Sequence, residues 1–391
     1  MRSHSRRDVL ALLAAACVLL STLEYMIPKP LPFVRLGLAN LPIIVGLSFL
    51  SVPEIILLTG LKALGQGLIN GTIFSYVFLF SISGSFASVL FMTIARKTFG
   101  SRISLIGVSV LGALASNLVQ LFLASLIVFG SAAFLVGPPL LAVGVVSSIF
   151  LGVLAEKFLS SSKWLKENRD FPGSFVEGGN KPNTEQPGSS TTGVFRISPR
   201  IILIGGLLVI PAFLLQDHVV VRVIQAVCFL ILAGLSGRRI RFMPLFFMTV
   251  SVLVAHLLVP FGKVIVEIWR WPITIGALQR GAAKASLLIG LIYLSRLSVR
   301  PNLKIPGKSG RLLTRVFFYF EGLTTSWSTS RGKLLERLDH TLIKAGEAGP
   351  KETRIVEEST HTTPIGFILT FCIVSANWIL LVLSKTGFLD P

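Results

Sequence analysis

The chain has 391 residues, 52% of them hydrophobic and only 14% charged, whereas an ordinary soluble domain carries about 25% charged residues, so that class is excluded. The net charge of +19, from 37 Lys+Arg against 18 Asp+Glu, falls mainly in short loops between apolar runs. That placement sets membrane topology and does not make a nucleic-acid surface.

The apolar runs predict an all-α polytopic membrane protein, a six-helix bundle followed by a second helical membrane module with a cytoplasmic amphipathic segment. In residues 1–160 the runs fall near 8–27, 36–52, 54–74, 76–95, 103–129 and 135–158. Each can cross roughly 30 Å of hydrocarbon, the second only marginally. The first run follows Arg2, Arg6 and Arg7 and lacks a small-x-small cleavage site, so it reads as a retained helix with a cytoplasmic N-terminus. Alternate loops carry Arg96, Lys97 and Arg102, then Lys157, Lys163, Lys166 and Arg169, as six spans with both ends inside require.

Residues 161–198 are polar and rich in Ser, Gly and Pro, and read as a flexible cytoplasmic linker. The second module, 199–305, predicts spans near 200–216, 219–235, 242–261 and 273–297. Its basic residues Arg238, Arg239, Arg241, Arg296 and Arg300 are expected inside, and Trp269 and Trp271 at the opposite interface. Residues 306–346 become amphipathic, with Leu334, Leu335, Leu338, Leu342 and Ile343 beside Lys333, Arg337 and Lys344. A charged linker, 347–363, leads to a last span at 364–384.

Intramembrane polarity supplies the candidate site. Thr59, Lys62, Gln66 and Asn70 recur at spacings of three and four and form one stripe along the third span. A lysine at that depth is costly against lipid, so it either points into the bundle toward a substrate or snorkels. Asn117 and Gln120 share a face of the fifth span beside Gly112, Ala113 and Ser116, as site lining or as contacts between helices. Pro28, Pro30 and Pro32 hold the first external loop extended. Arg35 and Asn40 can then fold over the outer mouth as a lid, or serve as an interfacial arginine and a helix cap.

Other chemistry is sparse. "PGKSG" (306–310) has Asn302 where a phosphate-binding loop needs glycine, and reads as a basic loop. The aspartates (Asp8, Asp170, Asp217, Asp339, Asp390) are scattered, unlike a Mg²⁺-diphosphate cluster. The histidines are dispersed, and Cys17, Cys228 and Cys372 are isolated in apolar segments. No metal, cofactor or catalytic residue is expected.

"PLPFVRLGLAN", "GQGLINGTIFSYVFLFSISGSFAS" and "LIGVSVLGALASNLVQLFLAS", in that order across residues 1–160, resemble the Gx transporter family, also labelled heptaprenyl diphosphate synthase component I. That family is similar to the substrate-binding S components of energy-coupling factor transporters. The resemblance implies a small-molecule site open to the outer side, in the bacterial cytoplasmic membrane, and a seam at Ala11 and Ala15 for packing on a T component. "SPRIILIGGLLV", "PITIGALQRGAAKASLLIGLIYLSRL" and "FEGLTTSWSTSRGKLLERL" resemble the T component, whose cytoplasmic helices couple to ATPases through Ala-Arg-Gly triplets. The corresponding triplet is Ser330-Arg331-Gly332, which departs at its first position, so Arg331 and Gly332 are the expected coupling residues. The resemblance thus implies an uptake component that binds a small solute and works with separate ATPase subunits. The alternative it leaves open is a non-catalytic membrane subunit associated with a polyprenyl diphosphate synthase.

Overall fold

Arg6–Met26 forms helix α1, a run of Ala and Leu with high intrinsic helix propensity. Every residue from Val9 to Leu20 is at most 3% exposed, so this helix, apolar on all sides, is enclosed by protein neighbours where lipid could also have served. The computed structural model that supplies them describes residues 6–26, 36–167, 198–237, 240, 242–268, 271–299, 308–348 and 363–386.

The next segment departs from its prediction as one span. It is a 3₁₀ turn (Leu38–Asn40), the six-residue helix α2 (Leu41–Gly46) and a run of turns. Gly37 at φ 79° and Pro42 at the start of α2 account for the interruption. The segment nonetheless returns along α1. Leu36 and Leu38 donate backbone N–H bonds of 2.8 and 3.0 Å to the Glu24 carboxylate at one end. At the other, Glu54 is ion-paired with Arg6 at 3.2 Å.

Helix α3 (Val52–Asn70) starts from a reciprocal cap between Ser51 and Glu54 and ends at Gly71, φ 62°. Helices α4 (Tyr76–Phe99), α5 (Leu105–Ala124) and α6 (Ala133–Ser161) complete the first bundle. A π turn over Ser125–Phe129 and a 3₁₀ turn join α5 to α6. The short helix α7 (Lys163–Glu167) follows.

The second bundle comprises α8 (Pro199–Leu214), α9 (Val219–Leu235) and α10 (Phe242–Leu257), then an antiparallel hairpin and α11 (Ile275–Ser298). The hairpin pairs β1 (Val264–Ile268) with β2 (Trp271–Thr274). Its β-branched run was not foreseen as strand, although such residues favour that state. The last helix, α14 (Pro364–Lys385), joins this bundle. Trp378 donates to the Leu208 carbonyl at 3.1 Å and Gln225 to Asn377 Oδ1 at 3.0 Å.

Five stretches of the described residues are long and apolar enough to cross a membrane: Val52–Asn70, Tyr76–Phe99, Leu105–Ser161, Ile275–Ser298 and Pro364–Lys385. With α8, α9 and α10 apolar but shorter, the architecture is that of an all-α polytopic membrane protein carrying one short hairpin.

The two bundles meet at one end of the first. Phe74 N–H donates to Ser295 Oγ at 3.1 Å and Lys284 Nζ to the Ile127 carbonyl at 2.7 Å. Helix α11 therefore passes from the end of α3 to the end of α5. Arg296, expected inside on its basic cluster alone, lies at the Asn70 end of α3. Its Nε donates to the Asn70 carbonyl at 3.4 Å, and its aliphatic stem packs where Gly71 has no side chain.

The amphipathic segment forms α12 (Lys308–Thr329) and α13 (Leu334–Ala348). Leu313, Val316, Tyr319 and Leu323 repeat at helical spacing and are buried in the cluster that contains α1. Arg315 on α12 is ion-paired with Asp8 at 3.0 Å. The reason is that α12 covers α1 and brings the two charges together. Burial, then the nearby Asp8 carboxylate, raises the pKa of the Tyr319 phenol.

Asp339 on α13 accepts from Ser162 Oγ and from the Lys163 and Trp164 amides, the latter two at 3.0 and 3.2 Å. It thus caps α7 from another element. Asp339→Ala is expected to lower stability by about 1–3 kcal/mol, because it orphans these donors. Thermal unfolding in mild detergent checks this, and an unchanged midpoint would show that the cap is not needed.

Candidate functional site

The polar stripe of α3 opens onto a chamber of about 910 Å³ inside the first bundle, walled by α1 and α3 to α6. At its Asn70 end, taken here as its mouth, α10 and α11 add Phe242, Met243, Leu245, Tyr293 and Arg296. The volume falls within the range of about 300–1,000 Å³ for pockets that enclose drug-sized ligands.

Lys62 is the group most firmly built into the wall. It is 4% exposed, and its Nζ donates to Asn40 Oδ1 and, at 3.4 Å, to Ser85 Oγ. The broken second segment delivers Asn40, because Gly37 and the 3₁₀ turn aim that side chain toward α3. Lys62 therefore points into the bundle and does not snorkel, as burial of an ammonium among polar partners requires.

Glycines let the other amide groups approach. Gln120 and Ser116 fill the space beside Gly84 on α4, and Asn117 fills that beside Gly144 on α6. Gln120 Nε2 donates to Ser116 Oγ at 2.9 Å on its own helix. Both amides line the chamber, so site lining and helix contact are joint roles here.

Of the seven residues expected at the site, Asn40, Lys62, Gln66, Asn70, Asn117 and Gln120 all line this one chamber. Arg35 lies outside the described residues. The expected coupling residues lie elsewhere. Ala11 and Ala15 are fully buried in α1. Arg331 and Gly332 form the exposed turn between α12 and α13, with Gly332 at φ 124°.

Sequence reasoning missed Ser81, Ser85 and Ser88, although their spacing of four and three marks one face of α4 as it marked α3. It also missed Glu24, whose two oxygens receive the Leu36 and Leu38 amides. The mouth residues of α10 and α11 carry no local signal, since the packing of one bundle on the other puts them there.

The wall offers hydroxyls, amides and fixed charge, which suit binding and orientation. Among the described residues no group of three His, Cys, Asp or Glu side chains is placed to hold a metal ion.

No curated protein and no solved structure matches the chain. Residues 196–301 match the family model of a domain of unknown function (DUF8519). The chamber-forming part, residues 13–158, matches the family model described as heptaprenyl diphosphate synthase component I.

Proposed function

We propose that the chain is a non-catalytic membrane component whose first bundle holds a small molecule in the chamber around Lys62. The observation that carries this reading is the convergence of six polar residues from three segments, the 3₁₀ turn, α3 and α5, on one cavity. Hydroxyls and amides held on rigid helices can orient a ligand, and among the described residues the wall shows no carboxylate cluster of the kind that diphosphate chemistry with Mg²⁺ would use.

Two readings describe what the bound molecule is for. The name of the matched family favours a membrane subunit associated with heptaprenyl or polyprenyl diphosphate synthesis, and supports it more directly than transport. The alternative is uptake from outside, in the manner of an S component joined to a T-like half, with separate ATPase subunits. That reading is favoured by the Ser330-Arg331-Gly332 turn at the tip of the α12–α13 hairpin, where Arg331 and Gly332 are exposed.

Purification of the full chain from its native membrane in mild detergent tests both levels. Mass spectrometry is expected to find a small molecule retained by the native protein and lost when the chamber is altered. A prenyl synthase recovered with the chain supports the first reading, and an ATPase pair supports the second. Retention of no small molecule would count against the chamber as a binding site.

If ATPases are recovered, Arg331→Lys is expected to reduce their recovery severalfold, because lysine cannot reproduce forked hydrogen bonds to a partner carboxylate. The same change at the exposed Arg311 should leave recovery unaltered. Equal tolerance at both positions would remove the hairpin tip from the coupling role.

A further inference from the structure

The chamber is graded along its length. Around Lys62 the wall is polar, with Asn40 and Ser85 on its ammonium and Gln66, Ser88 and Asn117 nearby in the lining. Asn70 lies two turns of α3 further on, roughly 12 Å at 1.5 Å per residue, and there the wall changes. Helix α10 contributes Phe242, Met243, Leu245, Phe247 and Met248, and α11 adds Ile292.

The charges of the wall have one dominant sign. Among the described residues its charged side chains are Glu24, Lys62 and Arg296. Both Glu24 oxygens are occupied by backbone amides, at 2.8 and 3.0 Å. Glu24 keeps its negative charge but is engaged by the backbone, so Lys62 at depth and Arg296 at the other end leave these three groups with a net positive charge, whose field low-dielectric walls strengthen.

The geometry points to an amphipathic anion as the ligand, its phosphate or carboxylate head beside Lys62 and its apolar chain running to the mouth under α10. A simple inorganic anion would leave most of the 910 Å³ unfilled, and a small polar solute would gain nothing from an apolar mouth. A cationic amphiphile would meet Arg296 and then Lys62. The second bundle then contributes directly to the site, since α10 supplies the surface for the chain and Arg296 guides the head inward.

This assignment rests on the chamber being a binding site, and the test separates the two. The full chain is placed in phosphatidylcholine nanodiscs and titrated with radiolabelled dodecyl phosphate or radiolabelled dodecanol, with empty nanodiscs subtracted. Dodecyl phosphate is expected to bind saturably and at least ~10-fold more tightly than dodecanol, as one charge-assisted contact implies. Inorganic phosphate should not compete. Lys62→Gln should remove most of the preference for dodecyl phosphate over dodecanol, and Lys62→Arg should restore most of it.

Phosphatidylglycerol added to the discs distinguishes the sources of such a head. Displacement of the probe identifies a bilayer lipid, and lack of displacement a soluble amphiphile, the anionic class standing in either case. Equal affinity for dodecyl phosphate and dodecanol would overturn the anionic assignment while leaving the chamber as a binding site. Saturable binding of neither probe would overturn both. Size-exclusion profile and thermal midpoint of Lys62→Gln show whether the variant is folded, and the native comparison of the two probes decides the matter without it.

Discussion

Lys62→Leu is expected to abolish retention of the chamber's ligand while the protein still inserts in the membrane and elutes as a single species. Lys62 is held by Asn40 and Ser85 inside the bundle. A charge-assisted contact from its ammonium is worth about 1.5–3 kcal/mol, or roughly 10–100-fold in affinity. Leucine also leaves Asn40 and Ser85 with less satisfaction, at about 1–3 kcal/mol per orphaned buried group. Removing a buried charge from the membrane interior relieves a cost of similar size, so the net change in stability is small. Retention and stability therefore part company. Undiminished ligand retention in a folded Lys62→Leu protein would remove Lys62 from the site.

Gly152→Val is expected to have the largest structural effect of any substitution considered. A Cβ at this position on α6 would stand 2.6 Å from the Ile106 Cα, which is backbone of α5 and cannot rotate away. Overpacking typically costs about 1–3 kcal/mol, and a branched side chain against backbone belongs at the upper end or beyond. Most of the Gly152→Val protein should be lost from the monodisperse fraction after detergent extraction. Gly144→Ala provides the contrast. The added methyl meets the Asn117 amide, a side chain that can swing aside. That variant should fold but retain less ligand, since Asn117 is part of the wall. Normal yield and elution of Gly152→Val would show that α5 and α6 are not packed as described.

The spacing of Thr59, Lys62, Gln66 and Asn70 was legible in the sequence because polar groups repeated with helical period stand out against hydrocarbon-compatible neighbours. The same signal was present and unused in Ser81, Ser85 and Ser88, since serine is common enough in membrane helices to pass as packing. The second apolar run looked long enough to be a marginal span. Gly37, Pro42 and the Ser51-Val52-Pro53 start of α3 instead break it into turns, although it still travels the length of α1.

Longer-range relations were not legible. Nothing near Arg315 announces Asp8, and nothing near Arg296 announces Asn70, since each pair is set by the packing of elements more than 200 residues apart. The positive-inside rule uses basic loops to assign helix ends to a side of the membrane. That rule concerns insertion and says nothing of how one bundle leans on another. The apolar mouth of the chamber is a product of that leaning.

The position of Asp8 against Arg315 has a consequence for biogenesis. The partners are 307 residues apart, and at a synthesis rate of about 5–20 residues per second the first waits roughly 15–60 s for the second. During that interval α1 has left the ribosome while α12 has yet to be made. The surface that α12 will cover must meanwhile be sheltered by lipid or by the insertion machinery. A chain halted between α11 and α12 would therefore leave α1 uncovered on the side that α12 takes.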